Sequence, residues 1–492
     1  AKLRKIEPGM TAQQFESMGS TSMIANTLDQ AAWWGFLSLL VVCSFIGDIY
    51  PSKLWLLITA GFCLTLALHS AGVALGARFN HRGLRSGVVI LGLLAVSMIW
   101  LQLQISVPVQ HFGHELLGNV AGLKADDAPE WYEPSLSWSV TPSGTRSLLL
   151  SELIPLLALC LMISSLSTRQ RLKQVLTMLA LVGGVHAVVA IIAKYADVTL
   201  VDVVQLDGHF DVARGWFINR NHLASFLILT SIGWISTLLH QSLRRGSSDR
   251  LVVALLSQQL LVKILCVMLM VLTVIAITLT SSRAGILSLV GVVFLLVVSV
   301  IRRQPSGQWR RFLLIGMMLV VVLAVGYFGD MVLQRFSGQE ALLGERGEQW
   351  CITWSLIKQN VLLGYGGNSY ATMFQMARGD DGLRQLVYNQ AHNDYLHIWL
   401  EQGFIGLMLW LGLICITFYR GLKSIKRTQS TLVISTGMAS LAVITAALTQ
   451  SLVDFNLQIL SIRIYFFVII AMIVSAPSIR HVKVRSGHVD GQ

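Results

Sequence analysis

Apolar stretches of membrane-crossing length recur along nearly all of this 492-residue chain, and nothing else constrains its fold as strongly. A helix needs about 20 apolar residues to cross a hydrocarbon core of about 30 Å. Twelve such stretches can be read, at 31–47, 54–75, 87–107, 148–166, 174–194, 222–239, 264–279, 284–301, 311–328, 403–419, 431–452 and 460–475. Only 13% of the residues are charged and the mean hydropathy is +0.65. The expected fold is an all-α polytopic membrane protein, not a string of soluble domains.

Charge sets the expected threading. Arg and Lys cluster in alternate connections (around Arg82, Arg171, Arg245, Arg303 and Lys423) and in both tails. Those segments carry 23 basic residues against five acidic ones, whereas the opposite set carries 13 against 19. The positive-inside rule then places both termini in the cytoplasm. The organisation that follows is a cytoplasmic tail over 1–30, then nine spans within 31–328 with external loops at 108–147 and 196–221. A large, partly helical external loop covers 329–402, spans ten to twelve lie within 403–475, and a cytoplasmic tail closes the chain at 476–492. The first thirty residues are polar, without the short apolar core and cleavage site of a removable leader. The pI near 9.6 reflects basic loops against an anionic inner leaflet and needs no nucleic acid. Five of the six cysteines fall in spans and Cys351 stands alone outside, so no disulfide pair or metal motif follows.

The external segments hold the residues with chemistry. In the first loop, His111 and His114 are three apart, but no third ligand accompanies them. The second ends Asn219-Arg220-Asn221-His222 at a span boundary, richer in donors than an interfacial anchor requires. The third is a tight hairpin, Thr280-Ser281-Ser282-Arg283-Ala284-Gly285. A guanidinium at that depth is costly unless an anion faces it, and an Arg fork matches phosphate oxygens as Lys cannot. The large loop carries Arg346, then Trp350, Trp354, Ile357 and Val361 at helical spacing, which predicts an amphipathic helix on the membrane or the bundle. The run Gly364-Tyr365-Gly366-Gly367 ends it as a turn. It is not a nucleotide P-loop, because no Gly-Lys-Ser/Thr follows. Asp380-Asp381 reads as a solvated loop pair. Beyond lies His392-Asn393-Asp394-Tyr395-Leu396-His397. Helical spacing predicts His392, Tyr395, Leu396 and Trp399 on one face, with His397 turned away. His is the side chain best suited to take a proton near neutral pH.

These residues together resemble the O-antigen ligase and polymerase superfamily of bacterial membrane glycosyltransferases. The family's pattern of His, Asn/Ser/Gln, nine residues, Gly, two residues and Gly/Thr/Tyr is matched by His392, Asn393, Gly403 and Gly406. The Asn-Arg-Asn-His-Leu-Ala run at 219–224, Ser282-Arg283-Ala284-Gly285, Arg346 followed by Trp350, and Leu362-Leu363-Gly364-Tyr365-Gly366 are also similar to family motifs. The resemblance covers roughly 210–410. It implies an inverting, metal-independent transfer of a glycan from undecaprenyl-pyrophosphate at the periplasmic face of the inner membrane, with no cofactor. It further implies His392 as general base, with Arg220, Arg283 and Arg346 holding the pyrophosphate. Arg283 and Arg346 would also stabilise the leaving group, and Asn221, Ser282, Asn393 and Tyr395 would complete the substrate site. The expected partners are the lipid-linked donor, a glycan or lipid A–core acceptor, membrane lipids, and chain-length regulator and flippase proteins.

The surroundings of His392 and Asn219, with Leu136-Ser137-Trp138-Ser139-Val140, look more like repeat-unit polymerases than ligases to lipid A–core. An oligosaccharyltransferase acting on protein is a third member of the same class. A twelve-span transporter is the reading from a different class. Against it stand a large loop placed outside between spans nine and ten, the lack of an evident internal repeat, and sparse span charge, chiefly Glu152 and Lys263.

Overall fold

The computed structural model describes residues 12–47, 52–107, 137–196, 198, 200, 212–243, 258–303, 341–378 and 389–479. Among the described residues there is no β-strand. The helices are α1 (Ala12–Ile46), α2 (Ser52–Ala74), α3 (His81–Ser106), α4 (Pro142–Ser165), α5 (Arg169–Tyr195), α6 (Arg220–Thr230), α7 (Ile232–Leu243), α8 (Gln258–Leu279), α9 (Arg283–Arg303), α10 (Ala341–Gln359), α11 (Tyr370–Arg378), α12 (Asp394–Arg427), α13 (Thr431–Gln450) and α14 (Leu460–Ser475). Eleven candidate spans are long and apolar enough to cross a membrane, α6 and α7 forming one of them at Arg220–Leu243. The expected ninth span, 311–328, lies outside the described residues, as do His111, His114, Asp380 and Asp381.

Three spans begin earlier than their apolar stretches. Asn80, Asn219 and Asn393 each accept a backbone N–H at a helix start, and such a cap lets the helix extend into polar sequence. The tenth span therefore starts at Asp394 instead of 403, and the residues around His392 lie at a helix N-terminus and not in a long loop.

Backbone contacts show which helix ends meet. At one end Ser461 Oγ donates to Gly47 O (3.0 Å). There too Ala213 N donates to Leu279 O (2.9 Å) and Asp394 N to Ser451 O (2.8 Å). At the opposite end Asn80 N donates to Ser164 O (3.0 Å). The sequence-expected external residues thus share one end. Near the other end Arg171, expected in a basic loop, is buried against Asp29 at 2.7 Å and ties α5 to α1. Helix α14 is apolar nearly all round and is buried along its whole length, as expected of a helix at the centre of a bundle.

Helix α12 is broken at Gly403 (φ 68°, ψ −175°). A Cβ there would lie 2.2 Å from Leu362 O, and one on Gly364 would lie 2.4 Å from Gly403 N. The two glycines let the turn after α10 press into the break. Tyr365 N donates to Leu400 O (3.0 Å) and Gly366 N to Glu401 O (2.8 Å), while Phe404 N donates to Val361 O (2.8 Å). The backbone groups freed by the kink are satisfied by the turn, as buried backbone must be.

Candidate active site

His392 sits directly before the Asn393 cap of α12, in the left-handed backbone region (φ 47°). A non-glycine residue there is uncommon and is held by its surroundings. Helix α10 supplies part of that hold. Gln349 Nε2 donates to Gln390 O and to the Tyr370 hydroxyl (3.1 Å). Trp350 Nε1 donates to Ala391 O (2.9 Å), and Arg346 Nη1 donates to Val453 O (2.8 Å). The buried stripe of α10 is Gln349, Thr353, Leu356 and Ile357. Of the expected stripe of Trp350, Trp354, Ile357 and Val361, only Ile357 lies in it, and Trp354 and Val361 are exposed. Hydrogen-bonding partners under the helix, more than apolar area, set its rotation.

His392 Nδ1 lies 3.4 Å from Asp454 Oδ1, with the two side chains 28% and 1% exposed. Asp454 also accepts from Asn221 Nδ2 and from Phe455 N (2.9 Å). Burial pushes the Asp454 carboxyl up. The contact with His392, the charges of His222 and His392, and the Phe455 N–H outweigh it and hold the group below its ordinary value. The Phe455 ring lies between two imidazoles, 4.8 Å from His392 and 4.8 Å from His222. The turn at 451–458 thus faces His392 with a fixed anion and an aromatic wall. Sequence reading passed over Asp454, Phe455 and Gln349, because nothing local marks a carboxylate sixty residues beyond the histidine it serves.

The other expected site residues divide. Asn221 is joined to the cluster through Asp454, and Arg346 through Val453 O. Arg220 is exposed at the first turn of α6, beside Asn221. Arg283 opens α9, and Gly285 of that helix packs against Ala224 of α6. Arg283 Nη2 is buried without a hydrogen-bond partner among the described residues. Ser282 Oγ accepts from Gly285 N (3.1 Å) and so caps α9. Asn393 Oδ1 accepts from Tyr395 N and Leu396 N (3.0 and 3.1 Å), while its amide donates to Leu452 O. The Tyr395 hydroxyl donates to Leu448 O (3.0 Å). These last three side chains are occupied in positioning. His397, expected to turn away, is buried with its Nε2 3.2 Å from Glu401 Oε1, stacked on Tyr370.

Three helices, α6, α9 and α12, therefore point their N-termini at this end with Arg220, Arg283 and His392 at their starts. Partial positive charge at those termini and the guanidinium groups together favour an anion. A cleft of about 770 Å³ adjoins the cluster, lined by His222, Phe455, Gln390 and Arg463 among others. Among the described residues no three His, Cys, Asp or Glu side chains come together as a metal cage needs.

Residues 268–411 match the family model of O-antigen ligase, a segment that contains Arg283, Arg346 and His392. That match supports the O-antigen ligase and polymerase superfamily. No curated protein matches the chain. With the many apolar helices the family match supports a multi-pass membrane glycosyltransferase of the O-antigen ligase and polymerase type, a family that in general implies a lipid-linked glycan donor and an acceptor. The matched segment ends before Asp454, so the histidine and its carboxylate come from either side of that boundary.

Proposed function

We propose that this chain transfers a glycan from undecaprenyl-pyrophosphate to a sugar hydroxyl at the periplasmic face, with inversion and without a metal. The observation that carries the reading is the contact of His392 Nδ1 with the buried Asp454. It orients the ring and leaves Nε2 to take the acceptor proton. The acceptor oxygen then bonds to the anomeric carbon as the bond to the pyrophosphate oxygen breaks. The proton moves to His392, and undecaprenyl-pyrophosphate departs with its charge held by Arg283, Arg346 and Arg220. Preorganised cations of this kind stabilise the leaving anion without reorganising.

A repeat-unit polymerase is the preferred subclass, on the residues around His392, Asn219 and Trp138. Transfer to lipid A–core is the second reading. The test is glycan profiling of a deletion strain carrying wild type or His392→Ala, each with membrane-inserted protein quantified. Loss of transfer with single repeats accumulating supports the polymerase. Undelivered long chains on the carrier lipid support the ligase. Wild-type glycan from His392→Ala would end the general-base assignment.

A further inference from the structure

Helices α1 and α5 run parallel and in register. Trp33 Nε1 donates to Gln174 Oε1 (2.9 Å), and three turns further along both helices the Phe45 ring stacks on His186, 5.0 Å between centroids. Along the stretch between those two ties the helices leave a groove of about 610 Å³. Trp34, Leu37, Ser38, Val41 and Phe45 form one wall, a single stripe of α1, and α5 forms the other. Among the described residues no third element lines it. Trp34, Leu181 and Val185 are each about half exposed, so the groove opens on the outside of the bundle, where a spanning helix meets lipid.

The α5 wall is polar at one end only. Its first turns supply Gln170, Lys173, Gln174 and Thr177, at the end of the bundle opposite His392. Beyond them α5 presents Met178, Leu181, Val182 and Val185, facing Val41 and Phe45 of α1. From Lys173 to Val185 the helix rises about 18 Å, close to the hydrocarbon depth of one leaflet, half of about 30 Å. Lys173 is exposed and makes no ion pair among the described residues. Asp29 of α1 does not neutralise it, being buried against Arg171 (2.7 Å) and His69 (3.0 Å). A positive charge is thus left over at the mouth of an apolar trough.

That polarity selects the occupant. Water gains nothing from the apolar walls, and a peptide segment would bring backbone groups that find no partner there. A hydrocarbon chain suits the walls, and an anionic headgroup suits the lysine. We propose that the α1–α5 groove binds one anionic phospholipid, with its phosphate at Lys173 and Gln170 and an acyl chain along Leu181 and Val185. The site lies at the far end of the bundle from Arg220, Arg283 and Arg346, and does not rest on the glycosyltransferase reading.

Native mass spectrometry of the full chain tests it. The protein is incubated in detergent with equal amounts of dioleoylphosphatidylglycerol and dioleoylphosphatidylcholine, and the lipids that stay bound are counted. Wild type is expected to retain the glycerol lipid in preference. Lys173→Gln should cut that preference about fivefold, the attraction of one lysine for an anionic lipid surface. Lys263→Gln, an exposed lysine on α8, should leave it unchanged. Leu181→Trp fills the trough from a half-exposed position and should release one lipid of either kind. The three variants are compared as monodisperse protein, which exposed positions favour. No preference in wild type overturns the proposal, as does a preference that survives Lys173→Gln. An equal loss in Lys263→Gln would make the effect one of net charge, and an unchanged lipid count in Leu181→Trp would place the lipid elsewhere, so either result also overturns it.

Discussion

His392 and Asp454 meet at 3.4 Å across the junction between the start of α12 and the turn that follows α13. The carboxylate is almost wholly buried, and Asn221 and the Phe455 N–H hold it in place. A base oriented by a fixed anion is the arrangement a proton-abstracting histidine needs.

Asp454→Asn is accordingly expected to lower kcat by about 10²-fold or more, within the range that a positioned base contributes. Donor KM should stay near wild type, because the arginine face is untouched. Initial rates against donor concentration decide it. A raised KM at unchanged kcat would make Asp454 a substrate-binding residue instead.

The same carboxylate links stability to acid. Its folded value lies below the ordinary 3.8, so its ionised form stabilises the fold above that ordinary value. The contribution fades as pH falls through the lower folded value. The gap in Tm between wild type and Asp454→Asn should therefore shrink below about pH 4. Thermal unfolding in detergent across that range measures it, and a gap that widens in acid would contradict the assignment.

The break in α12 yields a structural prediction. Gly403→Ala would place a methyl 2.2 Å from Leu362 O at φ 68°. The left-handed conformation alone costs roughly 1–2 kcal/mol for a non-glycine residue, and the clash adds to it. Gly291→Ala in α9, where nothing lies within 4 Å, is the control. It should match or exceed wild-type stability, since Ala gains about 0.5–1 kcal/mol over Gly in a helix. Melting temperatures of the two variants should move in opposite directions.

The all-helical, many-span character of the fold was legible in the sequence because it rests on local signals. Apolar length marks a helix, and an Arg beside Asn or Ser at a span boundary marks a polar end. The roles within the site were less legible. Ser282, Asn393 and Tyr395 have the chemistry of ligand-binding residues, yet Ser282 caps its own helix through Gly285 N, and Asn393 and Tyr395 donate to Leu452 O and Leu448 O, which only the folded chain brings near. Asp454 belongs to the site through contacts with residues far away in sequence. His397 was placed by helical periodicity alone, which has no knowledge of Tyr370, on which its ring stacks.

Gln349 tests how the His392 backbone is held. Gln349→Leu removes donors to Gln390 O and to the Tyr370 hydroxyl while keeping side-chain bulk. A buried carbonyl left unpaired costs about 1–3 kcal/mol, and His392 should relax from its left-handed geometry. kcat should fall about tenfold, since small misplacement of a catalytic group is costly. Donor KM should change little. A variant with normal kcat and poor donor binding would assign Gln349 to the substrate.

Arg283 gives the sharpest contrast between stability and activity. Its Nη2 is buried without a hydrogen-bond partner among the described residues at the N-terminus of α9, where the helix dipole already places partial positive charge. Both features disfavour a guanidinium in the free protein. Arg346, by comparison, donates to Val453 O and contributes to the fold. Arg283→Leu should therefore keep or raise the melting temperature while abolishing transfer. Arg346→Leu should lower both. Arg283→Lys preserves the charge without the fork, and a bidentate phosphate contact predicts a loss of roughly tenfold or more for it. Melting curves and initial rates on the three variants separate the alternatives. If Arg283→Leu melts well below wild type and the protein that remains folded still transfers glycan, Arg283 is a structural residue and the anion must be held elsewhere.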